Sequence, residues 1–139
     1  MPRISHLKHF DFNYKKFGCN VPRVPIRFIG TDDKSTPPID AVLDSGADQV
    51  TIPKDFADIL KLSLKPRKDE IITANGTCHA FSSKAHFFLG RGGREVEYND
   101  EEICVMENCP AILVGICPVF EDYVVHIDAG SKKFTLEIK

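Results

Sequence analysis

Apolar runs in this 139-residue chain are short, and glycine, proline or an Asn-Gly pair ends nearly every one within about ten residues. His9–Tyr14 alternates aromatic and polar residues, as a half-buried strand does. Val24–Ile29 and Ile39–Leu43 follow, with Pro25 placing the first at an edge or a strand start. Asn75-Gly76, between Ile71–Ala74 and Thr77–Phe81, predicts a two-residue hairpin, because both positions tolerate positive φ. Gly90-Arg91-Gly92-Gly93 predicts a second, joining Ala85–Leu89 to Glu95–Tyr98. Ile103–Met106, Ala111–Val114, Tyr123–Ile127 and Lys132–Ile138 complete the series. Strands this short cannot bury a face alone, so the pattern implies a mainly β domain, closed or sandwiched. One stretch departs from it. Pro53 opens a predicted helix to Leu62, with Phe56, Ile59 and Leu60 on one face.

The length allows one domain and not two lobes. A net charge of −2 gives no electrostatic case for nucleic acid or an anionic membrane. No apolar run approaches the roughly 20 residues that span a bilayer. Met1–Phe17 is basic and polar and lacks the apolar centre of a signal peptide, so a cytoplasmic location is expected. The five cysteines are irregularly spaced with no Cys-x-x-Cys pair, which predicts reduced thiols, no bound metal and no cofactor.

The chemistry centres on Ala41-Val42-Leu43-Asp44-Ser45-Gly46-Ala47. An apolar strand runs into an acid, a hydroxyl and two small residues, so the acid stands at the end of a buried strand. Gly46 permits a tight turn, and the Ser45 hydroxyl can bond the local backbone. A carboxylate so placed is costly unless it is paired or used. Asp-Ser-Gly alone is common in turns. Here the strand-forming Gln49-Val50-Thr51-Ile52 follows directly, which separates it from a surface turn.

This stretch, with Asp48 after it, resembles the active-site motif of the retropepsin-like aspartic proteases: apolar residues, Asp, Thr or Ser, Gly, Ala. Ala111-Ile112-Leu113-Val114-Gly115 is similar to that family's later motif of apolar residues closing on glycine. The resemblance covers roughly residues 24–138 and divides the chain into an N-terminal extension, 1–20, and a protease domain, 21–139. It implies a closed, barrel-like acid-protease fold with one or two short helices and one lobe per chain. Asp44 would be the catalytic aspartate of a peptide-hydrolysing enzyme. Ser45, Gly46 and Ala47 would support its loop, and Asp48, Ala74, Asn75 and Gly76 would meet the substrate, the last three at the flap. Leu113, Val114 and Gly115 would pack behind the loop. Several relatives carry a basic residue after the second glycine that ties down the acid matching Asp48; here it is Ile116.

Hydrolysis of this kind uses two carboxylates about one water, one as base and one as acid. One such motif is present, so the second carboxylate must come from an identical chain across a two-fold axis. Asp128-Ala129-Gly130 precedes a polar turn and reads as a hairpin corner. Cys78-His79 does not suit a thiol nucleophile, since neighbours on a strand face opposite ways. His126 lies in an apolar strand and is expected to be packed or outward-facing. Two readings stay open for the N-terminal segment: a solvated basic tail, or an added strand at the dimer interface carrying Phe10, Phe12 and Tyr14. A non-catalytic retropepsin-fold module that dimerises and binds a protein is the alternative to the protease, and a metal- or thiol-dependent domain is a third reading.

Overall fold

The computed structural model describes residues 10–13, 15–17, 19–67, 71–73, 76–91 and 93–139. Their strands are β1 (Phe10–Asn13), β2 (Lys15–Phe17), β3 (Cys19–Val21), β4 (Arg23–Ile29), β5 (Ile39–Leu43), β6 (Thr51–Pro53) and β7 (Lys65–Pro66). After these come β8 (Ile71–Thr73), β9 (Gly76–Cys78), β10 (Ala80–Leu89), β11 (Val96–Met106), β12 (Leu113–Val114), β13 (Tyr123–Asp128) and β14 (Lys133–Ile138). Two short helices, α1 (Lys54–Ile59) and α2 (Val119–Asp122), interrupt them. No described helix is long and apolar enough to cross a membrane.

The mainly β expectation holds, and closure is the solution adopted. Neighbours run β11-β6-β12-β5-β4-β10, and β10 pairs back with β11, so six strands close a barrel with β7 attached to β10. Alternation fills its interior: Val24, Ile26 and Phe28 of β4 are fully buried, as are Phe87, Ile103, Val105, Val50, Ile52 and Val114. Phe28 packs edge-on to Phe56 at 5.3 Å and against Phe87 at 5.5 Å. Burying such a ring stabilises by roughly 1.5–3 kcal/mol.

Four local expectations need correction. β4 is an interior strand, between β5 and β10, despite Pro25. The Pro25 carbonyl accepts from Gly90 N–H at 2.9 Å, so the missing N–H faces the same side, where β10 has already ended at Leu89. That is why the proline costs no ladder bond. The helix is shorter than Pro53–Leu62, with Pro53 outside it at an extended ψ of 147°. Its inner face runs through Phe56, Ala57 and Leu60, and Ile59 points out, 72% exposed. Glu95–Tyr98 and Ile103–Met106 are not separate strands. β11 runs through the polar stretch between, with a register shift opposite Ala85–Phe87 and Asp100 at φ 56° absorbing the extra residue. The first hairpin is the fourth case: Thr73 pairs with Gly76, so Gly76 is a strand residue and not the second turn position. The pairing of Ile71 and Ile72 with Cys78 and Thr77 fixes that register.

The second sheet, β1-β14-β13, is made within the one chain, with Phe10 opposite Leu136 and Phe12 opposite Phe134. The N-terminal segment therefore adds a strand, and it adds it to its own C-terminal strand.

Tyr98 joins the barrel to α2 by donating to Asp122 Oδ2 at 2.8 Å. Burial, and then the neighbouring Asp122 carboxylate, push its phenol well above its ordinary value of 10.0, and burial also raises Tyr123. Both folded values exceed the unfolded ones. The stability they contribute is therefore complete below about pH 10 and declines above it, where the unfolded chain releases phenolic protons that the folded chain keeps. Melting temperature should fall as pH rises past 10, and Tyr98→Phe should flatten that fall. A pH dependence identical in the variant would refute the assignment.

Candidate active site

β5 delivers Asp44 to the end of the barrel. Ala41 and Leu43 point into the core, and β5 is held between antiparallel β4 and parallel β12, with Leu113 opposite Val42 and Val114 opposite Leu43. Asp44 N–H donates to Val114 O at 2.9 Å, so the ladder extends one residue past the strand. The chain then turns sharply. Ala47 N–H donates to Asp44 O at 3.1 Å, and Gly46 N–H donates to Asp44 Oδ1 at 2.8 Å. One carboxylate oxygen is thereby fixed by the backbone of its own turn. Asp44 is half-buried, while Ser45 and Gly46 are exposed. Among the described residues no lysine, arginine or histidine pairs with Asp44.

The segment after β12 clamps the far side of this turn. Ile116 N–H donates to Ala47 O and Cys117 N–H to Asp48 O, both at 2.9 Å, and Gln49 continues the contact as a parallel bridge to Cys117. Gly115 is buried in the clamp. A Cβ there would stand 2.2 Å from Ala47 O and 2.7 Å from Ala47 C, both backbone atoms. Only glycine lets the two segments approach so closely. Phe120 N–H and Glu121 N–H of α2 donate to Gly115 O and Ile116 O, which carries the brace on into α2.

Each residue singled out in the sequence has a definite place. Asp44, Ser45, Gly46 and Ala47 form the turn; Val114 and Gly115 lie buried behind it, and Leu113 is half-buried beside β5. Asp48 is exposed, tied through its carbonyl and not its carboxylate. Gly76 lies in β9, while Ala74 and Asn75 fall outside the described residues. Ile116, where a basic residue was missed, is 39% exposed and contributes only its backbone. Asp128 closes a corner, Oδ1 accepting from Ser131 N–H at 3.1 Å, a bond that holds its carboxyl below the usual range. His126 faces outward against Glu137 at 2.9 Å.

Cys104, Cys109 and Cys117 lie outside any disulfide. Cys117 lies closest to the turn, and hydrogen bonding to the Glu121 carboxylate, with burial, pushes its thiol up to about 12. A thiol held protonated at neutral pH is a poor nucleophile. Among the described residues no three His, Cys, Asp or Glu side chains converge on a possible metal position.

Sequence reading gave no sign of Arg67. Its guanidinium donates through Nε to Ser82 Oγ at 2.9 Å and through Nη2 to Gln49 Oε1, one residue past Asp48. In sequence it stands in the basic run Lys65-Pro66-Arg67-Lys68, which looks like a solvated surface.

No family model and no curated sequence matches this chain. Solved structures do. A retropepsin-like aspartic protease from Rickettsia conorii superposes with a TM-score of 0.65 at 17% identity, over 91% of this chain and 98% of that one. The EIAV protease, in complex with the inhibitor HBY-793, superposes with a TM-score of 0.51, also at 17% identity, over 77% of this chain and 93% of that one. These likenesses are of fold: one closed β lobe per chain, with short helices.

Proposed function

We propose that this chain, a single lobe with the retropepsin-like fold, is half of an aspartic endopeptidase whose second aspartate comes from an identical chain. The observation that carries the reading is the state of Asp44. It stands at the open end of a barrel strand in a turn braced by Gly115, with one oxygen held by Gly46 N–H and, among the described residues, no cation to neutralise it. Its other oxygen has no partner among the described residues, so the carboxylate is positioned and left available. Across a two-fold axis, two such carboxylates would share a proton about a water. One would take the proton of the attacking water, and the other would donate to the scissile carbonyl.

A second copy has surface to bury. Of the four exposed large hydrophobic side chains among the described residues, Ile116, Val124 and Ile127 fall in the segment past the Gly115 clamp. β13 is also the outer strand of its sheet among the described residues, leaving an edge free for pairing. The substrate would be an extended peptide bound as an added strand. A reducing, cytoplasmic setting belongs to the same proposal and is supported by Cys104, Cys109 and Cys117, which lie outside any disulfide.

Digestion of a proteome-derived peptide library, from acidic to neutral pH and with or without pepstatin, tests the reading. Pepstatin-sensitive cleavage is expected from the wild-type chain. Cleavage equal in wild type and Asp44→Asn would show a contaminant. A dimer that binds peptides but cleaves none would favour a non-catalytic module.

A further inference from the structure

Arg67 occupies an unusual junction. β7 pairs with the start of β10, Pro66 opposite Phe81 and Lys65 opposite Ser82, and Arg67 N–H adds a bond to Ala80 O at 2.9 Å. Beyond Arg67 the chain leaves the barrel for the β8–β9 hairpin, and it returns at Ala80. Arg67 is thus the last described barrel-bound residue on one leg of that hairpin, and its backbone partner Ala80 is the first on the other.

Its side chain does not continue along β7. One nitrogen holds Ser82 of β10, and another holds the Gln49 side-chain carbonyl. Gln49 is itself fixed by its backbone, through the bridge to Cys117 and through its carbonyl, which accepts from Thr51 Oγ1 at 3.1 Å. A planar guanidinium with several donors in a rigid fork can bind two acceptors on two elements at once, and a lysine ammonium holds both less well. The contact also borders solvent: Lys65, Arg67, Ser82 and Lys84 line an open cleft of about 870 Å³. The side chain therefore has somewhere to go when the contact breaks.

We infer that Arg67 is a positioning residue coupling the root of the β8–β9 hairpin to the Asp44–Gln49 loop, an inference that rests on the peptidase reading. While Arg67 spans Ser82 and Gln49, the hairpin root and the loop carrying Asp48 hold one spacing. When it lets go, they move independently, and an extended peptide lying between them loses binding more than it loses chemistry. Ile116 supplies no side-chain tether to this loop, so the Arg67–Gln49 contact takes that part from the opposite side.

Steady-state kinetics and amide hydrogen exchange on the full chain test this together. Arg67→Ala should raise KM about tenfold with kcat within about twofold, the size expected for losing a charge-assisted hydrogen bond that acts in binding. Gln49→Ala should reproduce the effect, the double variant should be no worse than either single one, and Arg67→Lys should fall between. A fall in kcat at unchanged KM with a lower melting temperature would mark a merely structural role, and additive single effects would show no coupling; either overturns the inference. Without substrate, Arg67→Ala should speed exchange across residues 44–49 and 76–78 while β4 stays protected. Unchanged exchange there overturns the coupling whether or not the protein cleaves peptides. Should the wild type cleave nothing, the peptidase reading falls, and the exchange experiment alone decides on Arg67.

Discussion

Asp44→Asn should lower peptidase activity at least about a thousand-fold while leaving the fold and the dimer in place. The loss follows from chemistry. An amide cannot take the water's proton, and a pair with one carboxylate cannot alternate the roles of base and acid. The retained fold follows from the local geometry. The side-chain oxygen of asparagine can still accept the Gly46 N–H bond now made at 2.8 Å, and among the described residues the half-buried carboxylate has no ion pair to lose. Mixing gives a sharper form of the test. If every site needs one aspartate from each chain, an equimolar mixture of exchanging wild-type and variant chains retains about a quarter of the activity of the same total of wild type, and not a half. Activity in linear proportion to the wild-type fraction would mean that each chain works alone, and the two-chain mechanism would be wrong.

Gly115→Ala should be severely damaging although it adds a single methyl group. Its methyl group would lie 2.2 Å from Ala47 O and 3.0 Å from Ala47 Cβ, and the closest atoms belong to a backbone that cannot rotate away. The clamp has to open, which sacrifices the Ile116–Ala47 and Cys117–Asp48 backbone bonds and lets the Asp44 turn drift. Overpacking of this kind costs about 3 kcal/mol, or roughly 10 °C in Tm for a chain of this size. Activity should disappear with it, since small displacements of a reacting group cost large factors in rate. Gly130→Ala is the control. A Cβ there meets only Asp128 Oδ1 at an ordinary 3.5 Å, so Tm and activity should barely change. Calorimetry on the two variants reads the contrast directly, and equal melting temperatures would remove the clamp from the argument.

These two residues mark how far the sequence could be read. Asp44 was legible because its signal is local: apolar strand, acid, small residues, strand again, all within a dozen positions. Gly115 was legible as the end of an apolar run packed behind the loop, but the need for glycine itself was not. The reason for a glycine there is the Ala47 carbonyl, far away in sequence and brought close only by the parallel pairing of β12 with β5. Arg67 shows the same limit from the other side, as a basic residue in a basic run whose partners, Gln49 and Ser82, lie 18 and 15 residues away.

The sequence by itself determined the β rhythm, the existence of the two hairpins and the acid at the end of a strand, because side-chain alternation and glycine turns depend on neighbours along the chain. Beyond the two hairpins it did not determine which strands meet. The order of β6, β12, β5 and β4 between β11 and β10, passage of β11 through its polar middle, the outward turn of Ile59 and the capture of β1 by β14 were decided in three dimensions. Each depends on which apolar faces can be buried together, and that is a property of the assembled barrel and not of any one segment.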